Sequence, residues 1–330
     1  MVNYLAKPWL LLPPQTAHDL SSIFLSLAGA LKSRKTYYWK PFEWKKLSFS
    51  NPLGIAGGVD KNAQHCEAWW KYGVGFVEVG TITPEPQGPN PNPILKRDIS
   101  QRAVWNKMGF PNKGLEHACQ QLSKLSKPHY TPVFVNVGKN RSTAIDTAAQ
   151  DYIKCIKGLE EFVDVFVINI SSPNTANLRD LFSEGSLKTF LRQIINETNT
   201  HVPLLLKLSP DLDKEHLRQV LETSLECGVD GWIVTNTSVQ RPGVPDFPQA
   251  GGLSGKPLAG ISKKMLKLTM TLLGENRKGK LIVSTGGIMN AKDIVERLNM
   301  GADLVQVYSS LIFDGPFFFR NVADKLVRLN

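Results

Sequence analysis

The chain has 330 residues, 42% of them hydrophobic, and a net charge of +10, which is enough apolar material for one large α/β domain or two smaller ones. Its four cysteines, Cys66, Cys119, Cys155 and Cys227, lie far apart with no CxxC pair, which argues against a disulfide framework or a zinc site and for a reducing compartment. No apolar run approaches the roughly 20 residues that span a bilayer, and no basic stripe interleaved with aromatics points to nucleic acid.

Residues 1–40 read as two short amphipathic helices. Val2, Leu5, Trp9 and Leu12 share one helical face, which Pro13 and Pro14 break. Thr16-Ala17-His18-Asp19 then resembles a capping box with Asp in place of Glu. Leu20, Ile23, Phe24, Leu27 and Leu31 follow at helical spacing. Ala28-Gly29-Ala30 mimics a cleavage site, but the apolar run Trp9–Leu12 is too short for a signal peptide. Residues 1–46 carry seven Lys/Arg against two acids, half of the net charge. A basic segment with apolar faces suits an anionic membrane surface or a lipid-soluble ligand. A helical lid with a solvated basic face is the plainer alternative, and periodicity does not choose between them.

From residue 51 a repeat sets in. β-rich apolar runs occur at 53–57, 76–80, 133–137, 165–170, 204–207, 232–235, 281–285 and 304–308. Stretches of helical spacing separate them, among them 66–72, 115–125, 187–195, 217–225 and 261–273. Eight such units over about 280 residues predict a (β/α)8 barrel, with a doubly wound open sheet as the alternative. No Pro/Ser-rich linker or low-complexity tract divides residues 51–330, so one barrel domain, residues 41–330, behind a helical extension of residues 1–40 is expected. Two Pro-, Asn- and Gly-rich insertions, Thr83 to Gly114 and Thr235 to Gly260, follow the second and sixth strands. They read as long loops without secondary structure, in the place where barrel enzymes build lids.

The strand ends share one chemistry. They offer Gly57-Gly58 with Lys61, Gly80-Thr81, Asn136, Asn169 with Ser172 and Asn174, Lys207, Thr235-Asn236-Thr237, Gly286-Gly287 and Tyr308-Ser309. Each is a common turn residue when taken alone. Together they make one mouth of amides, hydroxyls and two lysines, with no carboxylate pair and no His/Cys metal set. Glycines after the last two strands suit a phosphate. Several Asn side chains offer donor and acceptor edges to a pyrimidine-like ring. The residues themselves lead to a phosphate-bearing cofactor in a barrel mouth.

Ten stretches, in order along the barrel, carry a resemblance: NPLGIAGGVDKN, VEVGTITPEPQ, WNKMGFPNKG, VNVGKN, INISSPNT, LKLSPDL, VTNT, GGLSGKPL, STGGI and VQVYSS. The chain resembles the class 2 dihydroorotate dehydrogenases, the membrane-associated branch that reduces quinone. LLLPPQTAHDL resembles that branch's helical extension. The resemblance implies oxidation of (S)-dihydroorotate to orotate in pyrimidine biosynthesis, with one noncovalent FMN per chain. It implies Ser172 as the base, where class 1 enzymes carry Cys. Gly57, Gly58, Lys61, Thr81, Asn136, Asn169, Lys207, Thr235, Gly255, Gly287, Tyr308 and Ser309 match cofactor positions. Lys61, Asn106, Lys107, Met108, Gly109, Phe110, Asn169, Asn174, Asn236 and Thr237 match substrate positions. His18 and Arg97 fall where the branch binds quinone, and attachment is expected to be peripheral, at the cytoplasmic face of a bacterial cell membrane. The chain departs from the family pattern at Ile94 and Lys107, where Arg is expected, at Gly57, where Ala is common, and after Thr175. A soluble flavoenzyme with another acceptor and a non-catalytic nucleotide-binding barrel are the competing readings. Ser172 and the amphipathic N-terminus weigh against the first, and retention of Ser172, both lysines and the Asn set against the second.

Overall fold

The computed structural model describes residues 7–30 and 36–326. Val2, Leu5 and Leu31 of the two expected helical faces lie outside the described residues. Within them the first expected helix is a single 3-10 turn, Pro8–Leu11. The second is α1, Pro14–Ala30. It starts at Pro14, whose fixed φ suits a first helical residue and whose missing N–H costs nothing there. Thr16 therefore lies inside the helix, and the expected capping box does not form.

A short hairpin, β1 (Phe42–Trp44) and β2 (Leu47–Phe49), precedes the barrel. The barrel strands are β3 (Leu53–Asp60), β4 (Phe76–Ile82), β7 (Val133–Val137), β8 (Val165–Ile168), β9 (Leu204–Lys207), β10 (Gly231–Val234), β12 (Leu281–Thr285) and β13 (Leu304–Val307). All eight pair in parallel in sequence order, and β13 returns to β3 to close the ring. Between them run α2 (Cys66–Lys71), α3 (Gly114–Leu122), α4 (Ala148–Leu159), α5 (Glu184–Thr198), α6 (Lys214–Glu226), α7 (Ala259–Leu273) and α8 (Ala291–Asn299). The chain ends in α9 (Ser309–Asp314) and α10 (Phe318–Leu326).

Alternation along each strand sorts the side chains. One parity faces the helices: Val77, Val79, Val135, Phe166, Leu206, Trp232 and Val305 pack there in the main core. The other parity faces the barrel axis. Its lowest layer holds Phe76, Phe134, Leu205, Ile233, Leu281 and Leu304. The hairpin plugs this end, with the Phe49 ring edge-on to Phe76 and Phe134 at 6.0 and 6.3 Å. Two residues further along the same strands, the inward side chains are Glu78, Asn136, Lys207 and Gln306, all buried. Apolar packing thus closes the bottom, and polar groups open toward the C-terminal mouth.

The two long insertions are not structureless loops. Leu95–Asp98 (β5) pairs with Ala103–Asn106 (β6), and β6 pairs with Gly252–Gly255 (β11) of the other insertion, all antiparallel. Each strand has four residues among Pro, Asn and Gly, so the local turn signal outweighs the strand signal in the sequence. β5 and β6 form a local hairpin, and the pairing of β6 with β11 joins the two insertions across some 150 residues. The Trp105 indole N–H donates to the Ala250 carbonyl at 2.8 Å and fastens the two insertions together.

Candidate active site

The strand C-terminal ends surround one open cavity. Its lining contains Ser172, Lys61, Lys207, the glycines 57, 58, 255 and 287, and all the Asn and Thr residues singled out at the strand ends. Asn106 reaches it from the end of β6, and Met108, Gly109 and Phe110 from the loop that follows. Tyr308 and Ser309 line it from the last strand.

Three predicted residues stand elsewhere. Lys107 does not line the cavity, and its backbone N–H donates to the Ile94 carbonyl at 2.8 Å. Strand β6 ends there, so the side chain after Asn106 takes the opposite parity. Arg97 donates to the Leu10 and Leu12 carbonyls at 2.8 and 2.9 Å and so binds the N-terminal segment to β5. His18, on α1, lies outside the lining, yet its Nε2 is 2.8 Å from Lys61 Nζ.

A hydrogen-bond chain runs around the mouth. Asn236 Nδ2 donates to Ser171 Oγ at 3.0 Å and to Asn169 Oδ1 at 3.3 Å. Asn169 Nδ2 donates to Asn136 Oδ1 at 3.1 Å, which also accepts from Thr81 Oγ1 at 2.6 Å. Asn136 Nδ2 donates to Glu78 Oε1 at 2.6 Å. Lys207 Nζ meets the same oxygen at 3.0 Å, and Gln306 Nε2 donates to Glu78 Oε2 at 2.5 Å. Glu78 is fully buried, and both oxygens of this carboxylate meet donors, as burial requires. Glu78 and Gln306 were not singled out in the sequence. Each is a lone polar residue within an apolar strand, and the closed ring places it at the parity that faces inward. On the far side Asn174 Nδ2 donates to Asn106 Oδ1 at 2.9 Å, joining β8 to the covering sheet.

Ser172 is buried, and its Oγ accepts from the Asn174 N–H at 3.1 Å. The adjacent Arg179 braces this loop: Nε donates to the Ser171 carbonyl at 3.0 Å, and Nη1 pairs with Asp211 at 2.9 Å. Burial, partly opposed by Asp60 and Asp19, pushes the Lys61 ammonium down to about 8. It still carries its charge at neutral pH and donates. His18 Nε2 is therefore the acceptor, and Nδ1 bears the ring proton. Burial, together with the Lys61 charge, holds His18 down to about 4, so the ring is neutral.

Where the last strands end, the backbone is bare. Gly286 and Gly287 have φ of +102° and +71°. A Cβ on Gly287 would stand 2.4 Å from the N and Cα atoms of Ala259, at the start of α7. Only glycine lets this turn approach the helix so closely. Among the described residues no group of three or more His, Cys, Asp or Glu side chains could hold a metal ion.

A family model described as dihydroorotate dehydrogenase matches residues 42–329. A dihydroorotate dehydrogenase (quinone) of Thermus thermophilus is 43% identical over 86% of this chain and 81% of its own length. One from Psychrobacter cryohalolentis is 37% identical over 94% and 93%, and one from Acinetobacter baumannii 36% over 99% and 100%. Among solved structures, the ligand-free dihydroorotate dehydrogenase of Eimeria tenella superposes with a TM-score of 0.87 at 33% identity, covering 96% of this chain and 94% of that one. The same Eimeria protein in complex with ferulenol gives 0.86. With the closed parallel barrel and its polar mouth, these likenesses establish that the chain belongs to the dihydroorotate dehydrogenase family, in its quinone-dependent class.

Proposed function

We propose that this chain oxidises (S)-dihydroorotate to orotate, a step of pyrimidine biosynthesis, with one noncovalent FMN as hydride acceptor and a membrane quinone as final oxidant. The observation that carries the reading is the single cavity that gathers Ser172, two lysines and an amide-rich wall. Its residues fit a flavin. The Gly286-Gly287 turn, bare of side chains, and the Tyr308-Ser309 corner beside it leave room for a phosphate. Gln306 Oε1 and Asn174 Oδ1, both on the cavity wall, are buried acceptors without a partner among the described residues. Each is available to an N–H of a bound ring.

Bound FMN would supply the acceptor for the hydride that leaves C6 of dihydroorotate. Gly57, Gly58, Thr81, Asn136, Asn169, Thr235 and Gly255 would hold its ring system, and Gly287, Tyr308 and Ser309 its phosphate. Lys207 would stand at the edge that gains negative charge. Its partner Glu78 keeps that lysine in one position, the preorganisation that electrostatic catalysis needs. Lys61 would pair with the substrate carboxylate, while Asn106, Asn174, Asn236 and Thr237 would hydrogen-bond the ring amides. Met108, Gly109 and Phe110 cover them. Ser172 Oγ would take the C5 proton. The Asn174 N–H steadies that oxygen, and no carboxylate or imidazole lies within hydrogen-bond reach of it among the described residues.

Residues 1–40 would serve the second half-reaction and residues 41–330 the first. Leu11, Ile23 and Leu27 are 68%, 55% and 60% exposed. Ile23 and Leu27 are one helical turn apart on α1. No helix among the described residues is long and apolar enough to cross a membrane. On the exposed Leu11, Ile23 and Leu27 we assign peripheral attachment at the cytoplasmic face of the cell membrane, with His18 and Arg97 near the quinone.

Stopped-flow bleaching of the flavin by dihydroorotate, followed by reoxidation with quinone, tests the reading. Ser172→Ala is expected to bind orotate and FMN yet bleach about 10²–10⁴-fold more slowly, as for loss of a positioned base. Ser172→Cys is expected to keep some activity with a lower pH optimum, since a thiol ionises more readily. Near-normal bleaching by Ser172→Ala would move the base to another residue.

A further inference from the structure

Arg297, on α8, is a charged side chain that the reaction does not use. It is 1% exposed. Its guanidinium donates only to neutral acceptors. Nη2 reaches Ser262 Oγ at 2.7 Å, the Gly286 carbonyl at 2.9 Å and the Ala259 carbonyl at 3.3 Å. Nη1 reaches Ser284 Oγ at 3.3 Å, and Nε has no acceptor among the described residues. The acids nearest in sequence are engaged elsewhere: Glu296 pairs with Lys263 at 3.0 Å, and Asp293 accepts from the Met289 N–H at 2.7 Å. No carboxylate within salt-bridge distance of Arg297 occurs among the described residues. A guanidinium stays charged at neutral pH. Burying such a charge without an anion is costly, and structures rarely keep one.

Its position gives the missing anion a direction. Arg297 holds the Gly286 carbonyl, and Ser262 Oγ donates to the same oxygen at 2.7 Å. In a trans peptide the carbonyl and the next N–H point opposite ways. Fixing the Gly286 carbonyl on the helix side turns the Gly287 N–H to the other side, and that N–H has no acceptor among the described residues. Gly286 and Gly287 line the cavity. The Ala259 carbonyl, in the first turn of α7, is held by the same guanidinium.

We propose that Arg297 is a positioning residue for the cofactor phosphate: from behind the Gly286-Gly287 turn it fixes the peptide that presents an N–H to the phosphate, and it supplies the buried positive charge that the dianion neutralises. It touches the turn and not the phosphate. The inference rests on the FMN reading and adds to it a selectivity: the chain prefers the phosphorylated flavin through a charge outside the contact surface.

The test is the ratio of FMN to riboflavin affinity, since riboflavin has the same ring and no phosphate. Full-length protein is freed of flavin, and flavin fluorescence quenching is titrated for wild type, Arg297→Lys and Arg297→Met. In Arg297→Met the FMN affinity is expected to fall about 10–100-fold, through loss of the N–H contact that the fixed peptide makes to the dianion and of the charge behind it. Riboflavin affinity is expected to change less than about threefold. Arg297→Lys keeps the charge and loses the fork, so its FMN loss should be intermediate, with riboflavin again unmoved. If Arg297→Met does not yield folded protein, the ratio in Arg297→Lys decides. Equal losses for both flavins, or a lowered Tm at an unchanged ratio, would make Arg297 a purely structural tie between α7, α8 and β12 and overturn the proposal. Wild type that binds neither flavin would instead overturn the FMN reading.

Discussion

The Glu78–Lys207 pair offers the sharpest energetic test of the barrel interior. Glu78 is fully buried and Lys207 nearly so, with Nζ 3.0 Å from Oε1. At an effective dielectric of about 20, two unit charges at that separation attract by about 5 kcal/mol. Glu78→Gln removes the charge and keeps the shape. Its amide oxygen still accepts from Lys207 and Asn136, while its new NH₂ faces Gln306. Gln306 Oε1 has no partner among the described residues, so a flip of that amide restores the remaining hydrogen bond. The loss is therefore charge alone, and it leaves a buried ammonium unpaired. Breaking such a pair from one side costs about 3–5 kcal/mol. Lys207→Met strands the carboxylate at a similar cost. The double variant strands nothing, so its loss should fall short of the sum of the single losses by at least about 2 kcal/mol. Urea unfolding of the flavin-free protein, with equal m-values, reads all three. Additivity within about 0.5 kcal/mol would refute the reasoning, since that is the signature of independent sites.

The pH dependence of orotate binding should report Lys61. Its pKa is pushed down to about 8, so it is a cation below that pH and neutral above it; affinity for the carboxylate should hold below pH 8 and fall above it, and Lys61→Met should remove the break in a calorimetric titration. Gly287→Asp would put a Cβ 2.4 Å from the Ala259 backbone and a negative charge at the phosphate turn; the protein should emerge colourless and less stable, and unchanged flavin content would refute the placement. A chain beginning at Trp39, once shown monodisperse and flavin-loaded, should still bleach with dihydroorotate and pass electrons to small artificial acceptors but lose long-chain quinone reduction and liposome binding. Long-chain quinone reduction at the full-length rate would leave the N-terminus as a structural lid.

Six of the eight strands were legible from β-branched residues followed by a glycine or amide stop; β9, Leu204–Lys207, was legible as an apolar run ending on Lys207, and β13, Leu304–Val307, as one ending at Tyr308-Ser309. The strand ends were legible for the same reason, since polarity begins where the apolar layers finish. Glu78 and Gln306 escaped notice because each is one polar residue inside a run read as apolar. Only the closed ring, which fixes parity relative to Phe76 and Leu304, shows that they point inward. The sheet over the mouth was hidden for a different cause: Leu253 pairs with Trp105, and no local pattern announces a partner at that distance. Arg297 looks like the solvent face of an amphipathic helix until the packing of α8 against α7 places it inside. Lys107 shows the converse. A motif position carried the expectation, and the end of β6 turned the side chain away.

The attachment of the N-terminal segment bears on how the two half-reactions meet. Trp9 Nε1 donates to the Ile312 carbonyl at 2.8 Å, Lys7 pairs with Asp314 at 2.5 Å, and Arg97 holds the Leu10 and Leu12 carbonyls. Leu10 packs with Val104, Met289 and Phe313 in a small core of its own. The segment before α1 is thus fixed to the barrel by polar and apolar contacts together. α1 then turns His18 inward to Lys61, while Ile23 and Leu27, further along the same helix, stay exposed. One helix therefore touches a residue of the cavity wall near its start and presents apolar side chains outward a turn or two later. Lys61 is the point where the two regions share a hydrogen bond. Under the proposed division of labour, a change in α1 at His18 reaches the reductive site through Lys61, and a change at Ile23 or Leu27 does not. Substitutions on the two parts of α1 are thereby separable: the first alters dihydroorotate affinity, the second only the encounter with the lipid-soluble oxidant.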